Sequence, residues 1–237
     1  MRHRCRSARV LVLQLFRCTM PKPPAIVLSS GGLHSLIVAG LAARENRIAM
    51  LHLKDGRPTA RQAHAAFQAQ AAHFKPIKIW ELDGAILNAM RLPPEIAGTI
   101  TSTSSDPHAA LLPFRELQML IVAAGFARQI RAASIFWGVQ FDQKATDALA
   151  RNIELVQMVN QLLELYGGDP VVSVRTPLMG LEDNQVIELG YQLGVPFAAS
   201  WTCQTDMDSP CQSCPACTRR SRSFRGAQLA DPALAKK

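Results

Sequence analysis

Two groups of residues in this chain have the types and spacing that chemistry requires. The first is the run Ser29, Ser30, Gly31, Gly32, Leu33, His34 and Ser35, which joins the apolar stretch AIVLSS to GGLHSLIVAGLAARE, a segment with helical apolar spacing. A strand handing over to a helix through such a turn leaves backbone N–H groups unbonded and adds the positive end of the helix dipole, a combination that holds anions. The two glycines let a phosphate approach the backbone without meeting a Cβ, and Ser30 and Ser35 add hydroxyl donors. No Lys-Ser/Thr pair follows the glycines and the three-glycine dinucleotide spacing is missing, so neither of those phosphate-binding motifs is present. A glycine pair taken alone also fits a simple tight turn.

The second group is Cys203, Cys211, Cys214 and Cys217, spaced C-x7-C-x2-C-x2-C. Four thiolates at this density can close a tetrahedral shell around Zn²⁺, and C-x2-C is the chelating step such sites use. Disulfides among cysteines two residues apart would be strained. With four protein ligands the ion would be structural, since a catalytic zinc keeps a position open. The other two cysteines, Cys5 and Cys18, need no role, and the six histidines show no metal-binding spacing.

Both groups need a scaffold, and the surrounding pattern supplies one. Strands are expected at 25–30, 47–53, 76–83, 134–140 and 171–178, and helices at 31–45, 59–74, 114–131, 146–166 and 184–196. That alternation implies a parallel sheet with crossover helices. Residues 92–113, rich in Pro, Ser and Thr, read as a loop over the strand ends. The run RRSRSFRG, with Arg219, Arg220, Arg222 and Arg225, reads as a solvated helix face in preference to a weak anion contact.

Composition sets the outer bounds. The 237 residues are 48% apolar and 19% charged, enough for a real core and too polar for a membrane protein. The net charge of +8 includes five arginines within residues 1–19, which hold no acid, so the rest carries only +3. A nucleic-acid-binding reading built on the arginine run ranks last, because Phe224 is its only aromatic residue. Residues 1–19 form a basic extension with a short apolar run. A start site placed too early explains it better than a targeting segment, because Met20 directly precedes the lead-in to the first strand. The expected organisation is therefore an extension (1–19), a nucleotide-binding domain (20–200) and a metal-binding C-terminal segment (201–237).

SGGLHS resembles the SGGxDS signature of PP-loop ATP pyrophosphatases, which cleave ATP between the α- and β-phosphates. With RTPLMGLEDNQVIELGYQLGVPFAASWTC, LPFRELQMLIVAAGFA, IFWGVQ and the cysteines, the chain over residues 24–232 looks like the 7-cyano-7-deazaguanine synthase family, which serves queuosine biosynthesis. The resemblance implies a parallel-sheet, HUP-like (adenine nucleotide alpha hydrolase-like) PP-loop α/β fold with a small C-terminal zinc knot. It implies a cytoplasmic carbon–nitrogen ligase that adenylylates a deazaguanine carboxylate, forms an amide with ammonia and dehydrates it to a nitrile with further ATP.

The resemblance further implies that residues 29–35 hold ATP, with Mg²⁺, and that the four cysteines hold structural Zn²⁺. Arg115 matches a Pro-x-Arg segment and Asp147 is the plausible remnant of a substrate segment. A homodimer would suit the family, and neither a membrane nor nucleic acid is implied as a partner. The chain departs from the family pattern at several places: His34 stands where it has Asp, Asp183 where it has Lys and Gln185 where it has Glu, while KDGRPTARQ replaces a Tyr-Gly-Gln-Arg-type segment and QFDQKATDALARN a Tyr-Pro-Asp-Cys-type one. An imidazole is no hard-oxygen ligand for Mg²⁺, so His34 either meets phosphate as a donor or weakens metal-dependent turnover. Asp183 reverses a charge near the expected phosphate site. The alternative these departures favour is a diverged PP-loop protein with another substrate, or a non-catalytic nucleotide-binding module.

Overall fold

A computed structural model describes residues 21–54, 56–84, 89–90, 92–93, 114–141 and 146–233. The basic extension, nearly all of the expected 92–113 loop and residues 234–237 lie outside them. The elements are β1 (Pro24–Leu28), α1 (Leu33–Glu45), β2 (Arg47–Lys54), α2 (Ala60–Phe74), β3 (Lys78–Asp83), α3 (Arg115–Gln129), β4 (Ser134–Trp137), α4 (Thr146–Leu165), β5 (Ser173–Arg175), α5 (Asp183–Gln192), a 3-10 turn (Phe197–Ala199) and α6 (Pro215–Gly226).

All strand pairs are parallel, in the order β3-β2-β1-β4-β5. Strand order reverses between β1 and β4, and in open parallel sheets the crevice outside the strand ends at such a point is where ligands bind. The sheet is covered on both faces, so its central strand β1 is apolar throughout, its neighbours are mostly so, and alternate residues serve opposite cores. Ala25, Val27, Ile48 and Met50 pack with α1, α2, α5 and Phe224 of α6. Ile26, Leu51, Ile135 and Val174 pack with α3 and α4. Among the described residues no helix is long and apolar enough to cross a membrane.

Several strands are shorter than the sequence pattern indicates. β1 stops at Leu28, so Ser29 and Ser30 already belong to the turn. β4 stops at Trp137 and β5 spans only Ser173–Arg175. Past β1 and β4 the chain turns to line the crevice, and Ser29 keeps one bond to the neighbouring strand, its N–H donating to the Leu51 carbonyl of β2 at 2.9 Å.

Candidate functional site

The glycine-rich turn lies at the C-terminal end of β1, beside the point where strand order reverses. Gly31 takes φ +77, and a Cβ there would lie 2.0 Å from the Ala63 carbonyl oxygen of α2. Only glycine fits, both by conformation and by space. Gly32 is the N-cap of α1 with extended backbone and no side-chain cap, and α1 has no acid in its first turn. The N–H groups that open this helix therefore face the crevice with no intrahelical acceptor. Gly138, just past β4, completes the wall; a Cβ on it would come within 3.0 Å of the His34 carbonyl carbon and the Ser35 nitrogen.

The turn is braced from below by residues that sequence motifs did not single out. Gln70 on α2 is fully buried. Its Oε1 accepts from the Ser29 hydroxyl (3.1 Å), and its Nε2 donates to the carbonyls of Gly31 (3.0 Å) and Ala199 (2.9 Å). His52 Nδ1–H donates to the Ser29 carbonyl at 2.8 Å while its ring stacks on Phe67. The Trp201 amide donates to the Gly31 carbonyl at 2.9 Å. The one signal in the sequence was a glutamine lying in the stripe Ala63, Phe67, Gln70, Ala71 that α2 buries.

The expected anion-binding residues thus divide by role. Ser29 faces inward to Gln70, and Leu33 belongs to the core. Ser30 is exposed, accepts the Gly32 N–H at 3.3 Å and lies 3.4 Å from the Ser35 hydroxyl, which itself donates to the Gly32 carbonyl. His34 is partly exposed, and no group among the described residues hydrogen-bonds its ring. Burial, followed by the nearby Arg219 charge, pulls its pKa down to about 4 against a smaller opposing effect of Asp183, so at neutral pH it is an uncharged imidazole. The turn opens into a cavity of about 1040 Å³, at the upper end of the ~300–1,000 Å³ usual for ligand sites. Arg115 lines this cavity, whereas Asp147 stands exposed in the first turn of α4 and is not among the lining residues.

The four cysteines are brought together as their spacing indicated. Their Sγ atoms all lie within 4.8 Å of one another and none is in a disulfide. A tetrahedral zinc site with Zn–S of about 2.3 Å has S–S edges of about 3.8 Å, so a small contraction closes the shell. Backbone N–H groups point at the sulfurs: Thr205 and Cys211 donate to Cys203, and Cys214 donates to Cys211, all at 3.3–3.4 Å. Hydrogen bonding from Thr205 first, then from the backbone at Ser213 and Cys214, lowers the Cys211 pKa to about 5. Burial, followed by neighbouring cysteines, raises that of Cys217. The donor set fits a soft or borderline metal ion held as a structural cross-link.

A model of the family described as queuosine biosynthesis protein QueC matches residues 24–228. The chain belongs to this family. The 7-cyano-7-deazaguanine synthase of Chlorobium phaeobacteroides is 31% identical over 222 residues, covering 88% of this chain and 95% of that protein. That of Chlorobaculum tepidum is 28% identical, with 88% and 94% covered. Among solved structures, the U34-tRNA thiolase NcsA of Methanococcus maripaludis, with its [4Fe-4S] cluster, superposes with a TM-score of 0.49 at 13% identity, over 88% of this chain and 65% of that one. The resemblance read from the motifs is borne out, and with it the family's use of ATP.

Within the family frame, the residues that departed from pattern turn out to be partners of one another. Asp183 is not a bare charge at the anion site: Arg219 of α6 donates from Nε to both its carboxylate oxygens (3.2 and 3.0 Å) and from Nη2 to Oδ1 (2.7 Å). Burial alone would raise the Asp183 pKa, but the Arg219 hydrogen bonds and charge outweigh it and hold the carboxyl below its usual range. Gln185 has a helix-capping role; its Oε1 accepts from the Glu182 N–H at 2.9 Å within a capping box at the start of α5.

The arginine run is not a solvated face either. Arg220 is buried, paired with buried Asp231 through Nε (2.6 Å) and Nη2 (2.9 Å), and bonded to Ser200 and the Phe197 carbonyl. Arg222 and Arg225 remain exposed, and Arg219 is partly exposed. Helical periodicity turned Arg220 into the core to meet Asp231, just past the end of α6, and set Arg219 against Asp183, which is 36 positions away.

Proposed function

We infer that this protein is a 7-cyano-7-deazaguanine synthase, using ATP and ammonia to convert 7-carboxy-7-deazaguanine into the nitrile. The observation that carries the reading is the uncapped start of α1, beneath Gly32 and beside Gly138, opening into a cavity at the strand-order reversal of a chain that belongs to this family. A carboxylate becomes a good electrophile once adenylylation turns one of its oxygens into a leaving group. Ammonia then displaces AMP to give the amide, and a second activation by ATP removes the amide oxygen to leave the nitrile. No protein nucleophile is required.

Residues 30–35 would orient the phosphates through the Leu33, His34 and Ser35 N–H groups and the Ser30 hydroxyl, a fixed array of dipoles that stabilises charge developing on the departing pyrophosphate as the adenylyl group is transferred. Neutral His34 fits the role of a single N–H donor better than that of an ion-pair partner. Arg115, on the cavity wall at the start of α3, is suited to an anionic substrate group. Mg²⁺ would enter with ATP, and Cys203, Cys211, Cys214 and Cys217 would hold Zn²⁺ as a structural ion. A cytoplasmic setting accords with ATP use and with thiols kept as metal ligands. A homodimer is the assembly we expect, and sedimentation of the metal-loaded chain tests it.

The function is tested by incubating metal-loaded protein with Mg²⁺, ammonia, 7-carboxy-7-deazaguanine and labelled ATP while following AMP, pyrophosphate and nitrile together. Nitrile formed in step with AMP and pyrophosphate supports the proposal. Binding of ATP with no turnover under any of these conditions overturns it in favour of a non-catalytic nucleotide-binding module.

A further inference from the structure

Several arginines line the cavity, but they are not equivalent. Arg220 spends its donors on Asp231, Ser200 and the Phe197 carbonyl, so it braces the chain and has nothing left for a ligand. Arg219 differs. Asp183 takes its Nε and Nη2, and the Gln140 Oε1 also accepts from Nη2, while Nη1 carries no hydrogen bond among the described residues. Its side chain is 38% exposed and lines the cavity. Gln140 is in turn fixed by donating from Nε2 to the Leu181 carbonyl at 2.6 Å. The guanidinium is therefore immobilised on one edge and open on the other.

The open edge is in the right neighbourhood for an anion. Asp183 is the first residue of α5 and Arg219 lies in α6, and both act electrostatically on His34, the second residue of α1. A guanidinium so placed offers charged N–H donors to the cavity that the N–H groups opening α1 also line, with its charge partly offset by the Asp183 carboxylate, and His34 contributes no charge there. Because Asp183 and Gln140 already hold it, little side-chain freedom is lost when it meets a ligand, and a planar guanidinium suits a phosphate oxygen pair.

We propose that Arg219, oriented by Asp183 and Gln140, is a ligand-contacting residue of this cavity that binds a phosphate oxyanion of the nucleotide through its Nη1 edge. The proposal rests on the nucleotide reading given above. Asp183 and Gln140 are positioning residues, acting through Arg219 alone. The competing account is a plain ion pair that fastens α6 to α5.

The two are separated by titrating the metal-loaded full chain with Mg²⁺·ATP, pyrophosphate and adenosine by calorimetry, alongside melting temperatures. The proposal expects Arg219→Gln to weaken pyrophosphate and ATP ~10- to 100-fold, as loss of a charge-assisted hydrogen bond does, while adenosine binding stays unchanged. The double variant Asp183→Lys with Arg219→Gln, which supplies a cation from the facing helix, should recover most of that loss. Wild-type pyrophosphate affinity in Arg219→Gln overturns the proposal and leaves the nucleotide reading standing. So does a parallel loss of all three ligands together with a lowered melting temperature, which marks a brace. No recovery in the double variant also counts against it, and absence of nucleotide binding by the unaltered protein overturns both.

Discussion

Gly31 and Gly32 are neighbours of the same type, yet the structure makes opposite demands on them, and replacing each by alanine measures the difference. At Gly31 the backbone has φ +77 and an added Cβ would sit 2.0 Å from the Ala63 oxygen, 3.0 Å from its carbonyl carbon and 3.1 Å from the Phe67 nitrogen. Left-handed backbone costs an L-residue about 1–2 kcal/mol before any contact is counted. The contact is with the backbone of α2, which cannot rotate away, so the turn or the helix must shift by about an ångström or more, stretching the bonds from Gln70 and Trp201 to the Gly31 carbonyl. Together these should destabilise Gly31→Ala by more than ~3 kcal/mol, a large share of a total near ~5–15 kcal/mol.

At Gly32 the backbone is extended, and the nearest atom to an added Cβ is the Ser30 hydroxyl oxygen at 3.1 Å, which can turn aside. Gly32→Ala should stay within ~1 kcal/mol of the parent, any loss falling on nucleotide affinity instead. Urea unfolding of the three metal-loaded proteins, read by circular dichroism, is the assay. Equal stability of the two variants, or a Gly31→Ala within ~1 kcal/mol of the parent, would refute the close approach of α2 to the turn.

Three further outcomes follow from particular groups. His34 has a folded pKa depressed from 6.5 to about 4, so the folded state binds fewer protons; stability present above pH 6.5 falls as pH drops towards 4. Its ceiling is ~3 kcal/mol for ~2.5 units, and Asn at position 34 should remove that part of the pH dependence in denaturation curves recorded from pH 7 to 4.5. Truncating Asp231 to Ala leaves buried Arg220 uncompensated and should cost about 3–5 kcal/mol, visible as a lowered urea midpoint with unchanged slope. Metal analysis should find one ion per chain, lost in Cys217→Ser. Chelation should lower both the melting temperature and nucleotide affinity, because the irregular segment leading into Cys203 carries Trp201, whose amide bonds to Gly31.

Much of the architecture was legible because it depends on period and spacing. Apolar runs of strand length alternating with helical stripes announced a parallel sheet, and four cysteines within fifteen positions can hardly avoid one another. The glycine turn was placed correctly as the junction of β1 and α1. Strand ends were not, since whether Ser29, Gly138 or Thr176 continues a ladder depends on a neighbour being present, and the local pattern is silent on that.

What the sequence determined by itself was the family, the βα order, the turn that can hold an anion and the cysteine set. Each is encoded by residues close together in the chain. Which residues support the turn, and what the unusual ones do, was decided only in three dimensions. Gln70, Asp183, Gln140 and Arg219 come from separate parts of the chain, and their meaning lies in pairings between residues 36 to 129 positions apart. Asp183 read alone is a charge in the wrong place; beside Arg219 it becomes the group that aims a cation. Long-range electrostatic pairing leaves no periodic trace, so tertiary structure alone shows which charges at a site are paired.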